Sequence, residues 1–143
     1  MDAPHLQLNL NSLNQHHFDG AIDHVVVPAF KGDLAIYRGH CPLVALLRPG
    51  RLKIVRENSE LDFYYVSGGI VEVFHNQVLI LADNLTRAEE LSEAETIREK
   101  EAIDQQILSQ REGRNYGKML TKIAQAKAKL RTLNSYIKSS RRS

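Results

Sequence analysis

The sequence has one cysteine, no tryptophan and, in 143 residues, nine aromatic side chains in all. A lone cysteine forms no intrachain disulfide, so the fold owes nothing to oxidation. The shortage of aromatics argues against a large aromatic ligand pocket. No apolar run approaches the roughly 20 residues that carry a helix across a bilayer. The start, Met1-Asp2-Ala3-Pro4-His5, is neither an apolar secretory segment nor an Arg- and Ser-rich transit peptide. The expectation is a protein kept on the cytoplasmic side, free to sit on a membrane complex. The six histidines, His5, His16, His17, His24, His40 and His75, lack ligand-like spacing apart from the pair His16-His17, and strand neighbours face opposite ways. No metal and no cofactor are therefore expected. His40-Cys41 suggests a nucleophile–base dyad only at first sight. The same opposite-face geometry makes it a poor one, and His40 reads as a histidine satisfying backbone groups in a turn.

What is present divides the chain in two. Residues 1–83 read as β structure. Leu6, Leu8 and Leu10 alternate with Gln7, Asn9 and Asn11, the period of a half-buried strand. Asp19-Gly20 is a strong turn pair. Ile22 to Val27 is a β-branched strand that Pro28 confines to an edge or an end. Gly32 to Leu43, crowded with two glycines, a histidine and a proline, reads as a tight, shaped loop. Leu43 to Leu47 reads as a short buried strand ended by Pro49-Gly50, and Arg51 to Arg56 as a strand with one wet face. Glu57 to Glu60 is a polar hairpin turn. Leu61 to Val66 and Ile70 to Phe74 are strands broken by Ser67-Gly68-Gly69, and His75-Asn76-Gln77 turns the chain into Val78 to Leu81. Short strands with turns at this rate argue for an antiparallel sandwich or barrel.

After Asp83-Asn84 helix formers take over, and Gly113 and Gly117 are the last glycines. Ser92 with Glu95 fits a capping box. Leu91, Ala94, Ile97, Ile103 and Ile107 give a partial apolar stripe for a first helix, ending near Glu112-Gly113. A second helix from about Asn115 carries Tyr116, Leu120, Ile123, Ala126, Leu130, Leu133 and Ile137. A short turn between them implies an antiparallel helix hairpin. The fold class is thus α+β, an all-β domain with a helical appendage.

Charge follows the same division. Residues 1–83 hold six bases against nine acids, a net of −3, and residues 84–143 hold thirteen against eight, a net of +5. No acid follows Glu112. One account is that acidic helix one and basic helix two neutralise each other. That leaves the acid-free segment unexplained, and a carboxylate-rich partner or a nucleic-acid backbone would explain it.

Four motifs in order carry a family likeness: Gly32-Asp33-Leu34-Ala35-Ile36-Tyr37-Arg38-Gly39-His40-Cys41-Pro42-Leu43, Pro49-Gly50-Arg51-Leu52-Lys53-Ile54, Val66-Ser67-Gly68-Gly69-Ile70-Val71-Glu72-Val73 and Leu81-Ala82-Asp83. With them, nearly the whole chain resembles the epsilon subunits of F-type ATP synthases. Ala35 and Arg38 depart from the family, which usually has glycine and proline there. The resemblance implies a ten-stranded antiparallel β-sandwich, residues 1–85, and a C-terminal two-helix hairpin, residues 86–143. It implies a non-catalytic rotor subunit of a proton-translocating synthase, bound to gamma and the c-ring below the alpha/beta catalytic hexamer, peripheral on the cytoplasmic face of a bacterial inner membrane. It places a c-ring contact at Lys31, Gly32, Asp33, Gly39 and His40. It makes the hairpin an inhibitor of ATP hydrolysis, with Arg114, Lys118, Lys122, Lys127, Lys129 and Arg131 facing acidic groups of the beta subunit. Some members bind ATP through (Ile/Leu)-Asp-x-x-Arg-Ala. The matching stretch here has Leu91, then Ser92 for the aspartate, Glu95 for the arginine and Thr96 for the alanine. A carboxylate replaces the phosphate-facing cation, so tight ATP binding is not expected. The competing reading is a basic hairpin that binds nucleic acid, with Phe63-Tyr64-Tyr65 as a stacking platform. It leaves the four motifs unexplained, and strand spacing turns at least one ring to the core, so no nucleic-acid partner is expected.

Overall fold

The computed structural model describes residues 5–109 and 116–142. Ten strands come first: β1 Leu6–Ser12, β2 His16–Ile22, β3 His24–Ala29, β4 Gly32–Tyr37, β5 Leu43–Leu47, β6 Gly50–Val55, β7 Leu61–Val66, β8 Gly69–Phe74, β9 Gln77–Ala82 and β10 Leu85–Arg87. A single 3-10 turn, Ala88–Glu90, leads to α1, Glu93–Ser109, and α2, Tyr116–Arg142. The strands form one hydrogen-bonded sheet in the order β10-β7-β6-β3-β5-β8-β9-β1-β2, with β4 beside β3. All pairs are antiparallel except one, because β1 runs parallel to β9. The architecture is otherwise the sandwich and helix pair expected.

The sheet folds over a core that alternation selects. Leu6, Leu8 and Leu10 are fully buried, with Val25, Val27, Ile36, Leu52, Ile54, Val66, Val71, Val73, Val78 and Ile80 from the facing strands. The Asp19-Gly20 pair makes no turn. It lies inside β2, with Asp19 opposite Asn9 and Gly20 opposite Leu8. The chain reverses earlier, where the Ser12 amide donates to the Gln15 carbonyl at 2.8 Å. The Phe18 ring lies over Gly20, 3.6 Å from where a Cβ would stand, and fills the gap the glycine leaves in the strand. Pairing with a buried leucine strand overrides the local turn preference.

Two further readings change. Gly32 to Tyr37 is strand, not loop, so the loop shrinks to residues 38–42. Strand β5 is buried on one face only: Val44 is 68% and Leu46 60% exposed. In β7, by contrast, Phe63 to Val66 are all buried, since Tyr64 and Val66 face the core while Phe63 and Tyr65 lie under helix. The wet face expected of β6 is the one α2 covers; Arg51 donates to the Ser135 hydroxyl across that junction.

Ser92 caps α1 as the sequence suggests: its hydroxyl accepts from the Glu95 amide at 3.3 Å, and its carbonyl accepts from the Thr96 hydroxyl at 2.7 Å. The inward side of α1 is Thr96 and Ile103, whereas Ile97 is 39% exposed. On α2, Ala126, Ala128, Thr132 and Leu133 are buried and Leu120 is exposed. The apolar stripe is therefore thinner than its sequence pattern, and small residues bring α2 close to the sheet. Glu112, Gly113, Arg114 and Asn115 lie outside the described residues, as do the side chains of Ile107 and Tyr116.

Candidate interaction surfaces

The five residues expected at the c-ring are placed at two ends of one strand. Phe30-Lys31 is the two-residue turn between β3 and β4, with Ala29 opposite Gly32. Gly39 and His40 follow β4, about 17 Å away at roughly 3.4 Å per strand residue. The structure therefore brings Lys31, Gly32 and Asp33 together and leaves Gly39 and His40 apart from them. Asp33 is not a free carboxylate, because Arg48 Nη2 donates to it at 2.7 Å. At the other end the Gly39 amide donates to Asn76 Oδ1 at 2.7 Å. Asn76 and His75 both take positive φ in the tight β8–β9 turn, the geometry two-residue hairpins favour. His40 Nδ1 is 2.8 Å from the Cys41 carbonyl oxygen and 3.9 Å from its Sγ. The imidazole serves its own turn and makes no thiol–imidazole hydrogen bond of catalytic length.

The basic residues of α2 also separate. Lys118 and Lys122 are exposed. Lys129 turns inward, 3.3 Å from Glu99 of α1 and 5.4 Å from the centroid of the Tyr65 ring. Burial pushes the Tyr65 phenol up to about 12, and the Glu99 charge adds to the shift. Lys127 and Arg131 face Arg48 across a cleft between β6 and the helix. Mutual neutralisation of the two helices thus amounts, among the described residues, to the Lys129–Glu99 ion pair. Leu91, Ser92, Glu95 and Thr96 serve the helix start. The Leu91 amide closes the 3-10 turn onto Ala88, Ser92 is the cap, Glu95 is exposed and Thr96 is buried. Phe63, Tyr64 and Tyr65 are buried as residues, 8%, 1% and 4% exposed, so none offers a stacking face in this arrangement.

One surface escapes the sequence reading. Leu46, Ile70 and Leu81 stand opposite one another across β5, β8 and β9, and Val44, Glu72 and Leu79 form the adjacent row. The five apolar members are 43–68% exposed. Phe30, 72% exposed, extends the first row, its backbone amide donating a hydrogen bond to the Leu46 carbonyl at 2.8 Å. A contiguous apolar face of this kind on a folded chain marks an interaction site. The opposite outer face, on β6 and β7, already carries α2. The sequence signal for the exposed face was the unbroken apolar run Leu43–Leu47, which reads equally well as burial on both sides.

The chain matches the sequence model of the family described as ATP synthase, Delta/Epsilon chain, beta-sandwich domain, over residues 5–88. The ATP synthase epsilon chain of Alkalilimnicola ehrlichii is 36% identical over 128 residues, covering 90% of this chain and 91% of that one. The ATP synthase epsilon chain of Halorhodospira halophila is 36% identical over 138 residues, covering 96% and 98%. A chain of the Euglena gracilis mitochondrial ATP synthase superposes with a TM-score of 0.71 at 18% identity, over 94% of this chain and 81% of that chain. A chain of the Tetrahymena thermophila mitochondrial ATP synthase central stalk and c-ring superposes with a TM-score of 0.58 at 20% identity, over 95% and 98%. At such identities these two likenesses concern the fold.

Proposed function

The chain belongs to the ATP synthase delta/epsilon family, as an epsilon chain, and from that premise we propose that it links the c-ring to gamma on the rotating stalk and restrains ATP hydrolysis through its helix pair. As an epsilon chain it is a non-catalytic subunit of a membrane-associated rotary complex. No described helix is long and apolar enough to cross a membrane, which suits attachment through partners on the cytoplasmic face of a bacterial inner membrane.

The observation that carries the reading is the apolar face of β5, β8 and β9. It is the surface on which gamma docks in this proposal, since the opposite face is covered by the chain's own α2. The polar turn Lys31-Gly32-Asp33 touches the c-ring, and Arg48 holds Asp33 in place for that contact. Gly39 and His40 lie at the far end of β4, so their contact is with another part of the stalk or a neighbouring c-ring loop. In the inhibitory state the helices leave β6 and β7, and Lys118, Lys122, Lys127, Lys129 and Arg131, with Arg114, pair with carboxylates of the alpha/beta hexamer, where enclosed pairs count for more than exposed ones. No ATP site at Leu91-Ser92-Glu95-Thr96 is part of the proposal.

The test is Leu46→Glu combined with Ile70→Glu. Both side chains face solvent in the isolated chain, but they pair across β5 and β8 and two carboxylates there repel, so unfolding should lose about 1–2 kcal/mol in all while the fold persists. Co-purification with gamma should be lost. A doubly charged face that still joins gamma at unchanged affinity overturns the docking assignment.

A further inference from the structure

One charge stands inside the apolar face of β5, β8 and β9. Along β8 the outward residues are Ile70, Glu72 and Phe74. Val44 of β5 and Leu79 of β9 pair with Glu72 on either side. Partners across a sheet lie about 5 Å apart, and same-face neighbours along a strand about 7 Å. The Glu72 side chain therefore has apolar neighbours in all four directions. Those neighbours, Ile70, Phe74, Val44 and Leu79, are 43–68% exposed, and Glu72 is exposed with them.

Polar groups at the border of this face engage one another. On β1, which runs beside β9, Asn11 Nδ2 donates to Asn9 Oδ1 at 2.6 Å, and Gln7 Nε2 donates to Asp19 Oδ1 at 3.0 Å. Near Phe30, Arg48 pairs with Asp33 at 2.7 Å. None of the ion pairs among the described residues includes Glu72. In the free chain water hydrates its carboxylate. A surface laid over the apolar rows removes that water, and an isolated carboxylate is costly to bury. The covering surface must therefore bring a positive charge to this point. Interface cores are depleted in charge, so a lone central carboxylate selects among partners more than it adds affinity. The β part, with six bases against nine acids, favours the approach of a basic surface. A second copy of this chain does not fit: a two-fold contact through this face repeats one patch on both sides, with two Glu72 carboxylates and no cation in the rows.

We propose that Glu72 determines which partner this face accepts, its carboxylate receiving an arginine or lysine that the partner presents among apolar side chains. The proposal rests on the docking of gamma on this face and names the chemistry that gamma must carry there.

The experiment measures the affinity of the full chain for gamma in Glu72→Gln, Glu72→Leu and Asp19→Asn, beside Leu46→Glu/Ile70→Glu. Glu72→Gln keeps the shape and removes the charge. It should weaken binding about tenfold or more, as removing one partner of an enclosed charge pair does. Glu72→Leu should weaken it at least as much, although it completes the apolar face. Asp19→Asn removes the same charge from β2, opposite Asn9, and should change affinity less than about twofold, as a rim charge does. Glu72 and Asp19 are exposed, so urea midpoints should stay near that of the unsubstituted chain. Unchanged affinity in Glu72→Gln, tighter binding by Glu72→Leu, or an equal loss in Asp19→Asn overturns the assignment. Tighter binding would make the carboxylate a solubility device, and an equal loss would make the effect one of net charge. If Leu46→Glu/Ile70→Glu loses gamma while Glu72→Gln keeps it, only the role of Glu72 falls. If the double variant keeps gamma, the docking reading falls and the role of Glu72 with it.

Discussion

At Gly69 a Cβ would stand 2.3 Å from the Leu81 carbonyl oxygen, and the backbone sits at φ +144°. Both facts forbid a side chain where β8 begins against β9. Gly69→Ala should cost more than about 2 kcal/mol in urea unfolding, from strain and clash together. Tyr65 acts through its proton. Its phenol, buried under α2, is raised to about 12, while an unfolded tyrosine titrates near 10. Below pH 10 both states hold the proton. Between pH 10 and 12 only the folded state does, so stability falls as pH rises through that window, by about 3 kcal/mol in full. Tyr65→Phe should flatten part of this alkaline loss in pH-dependent unfolding. A remainder should persist, because burial raises Tyr64 as well. Neither residue announces this in the sequence. Gly69 sits in a run that reads only as a break between strands, and Tyr65 in a strand for which the sequence pattern names no covering helix.

Among the elements, α2 is the one whose sequence pattern and actual contacts differ most. Its 3–4 spacing correctly marks a helix, and Leu133 and Ala126 face inward as that spacing requires. Leu120 keeps the spacing and is 47% exposed. What holds α2 down is a thin set of contacts: small side chains against β6 and β7, Arg51 on Ser135, and Lys129 between Glu99 and Tyr65. Lys129→Ala should remove a partly exposed ion pair and a cation–ring contact, together about 1–2 kcal/mol of docking. Hydrogen exchange should show faster α2 amides with unchanged β1 and β9. A uniform change across the whole chain would contradict this local role. For the strands, alternation identified β1, β6, β8 and β9 within a residue or two. The bounds of β5 and β7 were read equally well, but alternation says nothing of coverage where both faces are apolar: helices cover the outside of β7, and among the described residues nothing covers that of β5.

At the scale of the molecule, the sandwich should not depend on the helices, provided the cut respects β10. Leu85, Thr86 and Arg87 pair with Val66, Tyr65 and Tyr64, so a chain ending at residue 90 keeps the last ladder and the 3-10 turn after it. That truncation should stay folded and join gamma, and the assembled complex should hydrolyse ATP faster. Equal hydrolysis rates with and without the helices, under conditions that favour inhibition, would rule out the inhibitory role in this protein. The sequence by itself determined the division into a β part and a helical part, the identity of most buried leucines and valines, the capped start of α1, and the family. These depend on period, caps and ordered motifs, all of which are local. Tertiary structure alone decided that Asp19-Gly20 is strand, that Arg48 holds Asp33, that the cations of α2 take three different environments, and that no described residue covers the outer face of β5, β8 and β9. Each of those depends on which distant surface comes to lie opposite, and a pattern along one chain segment carries no record of that.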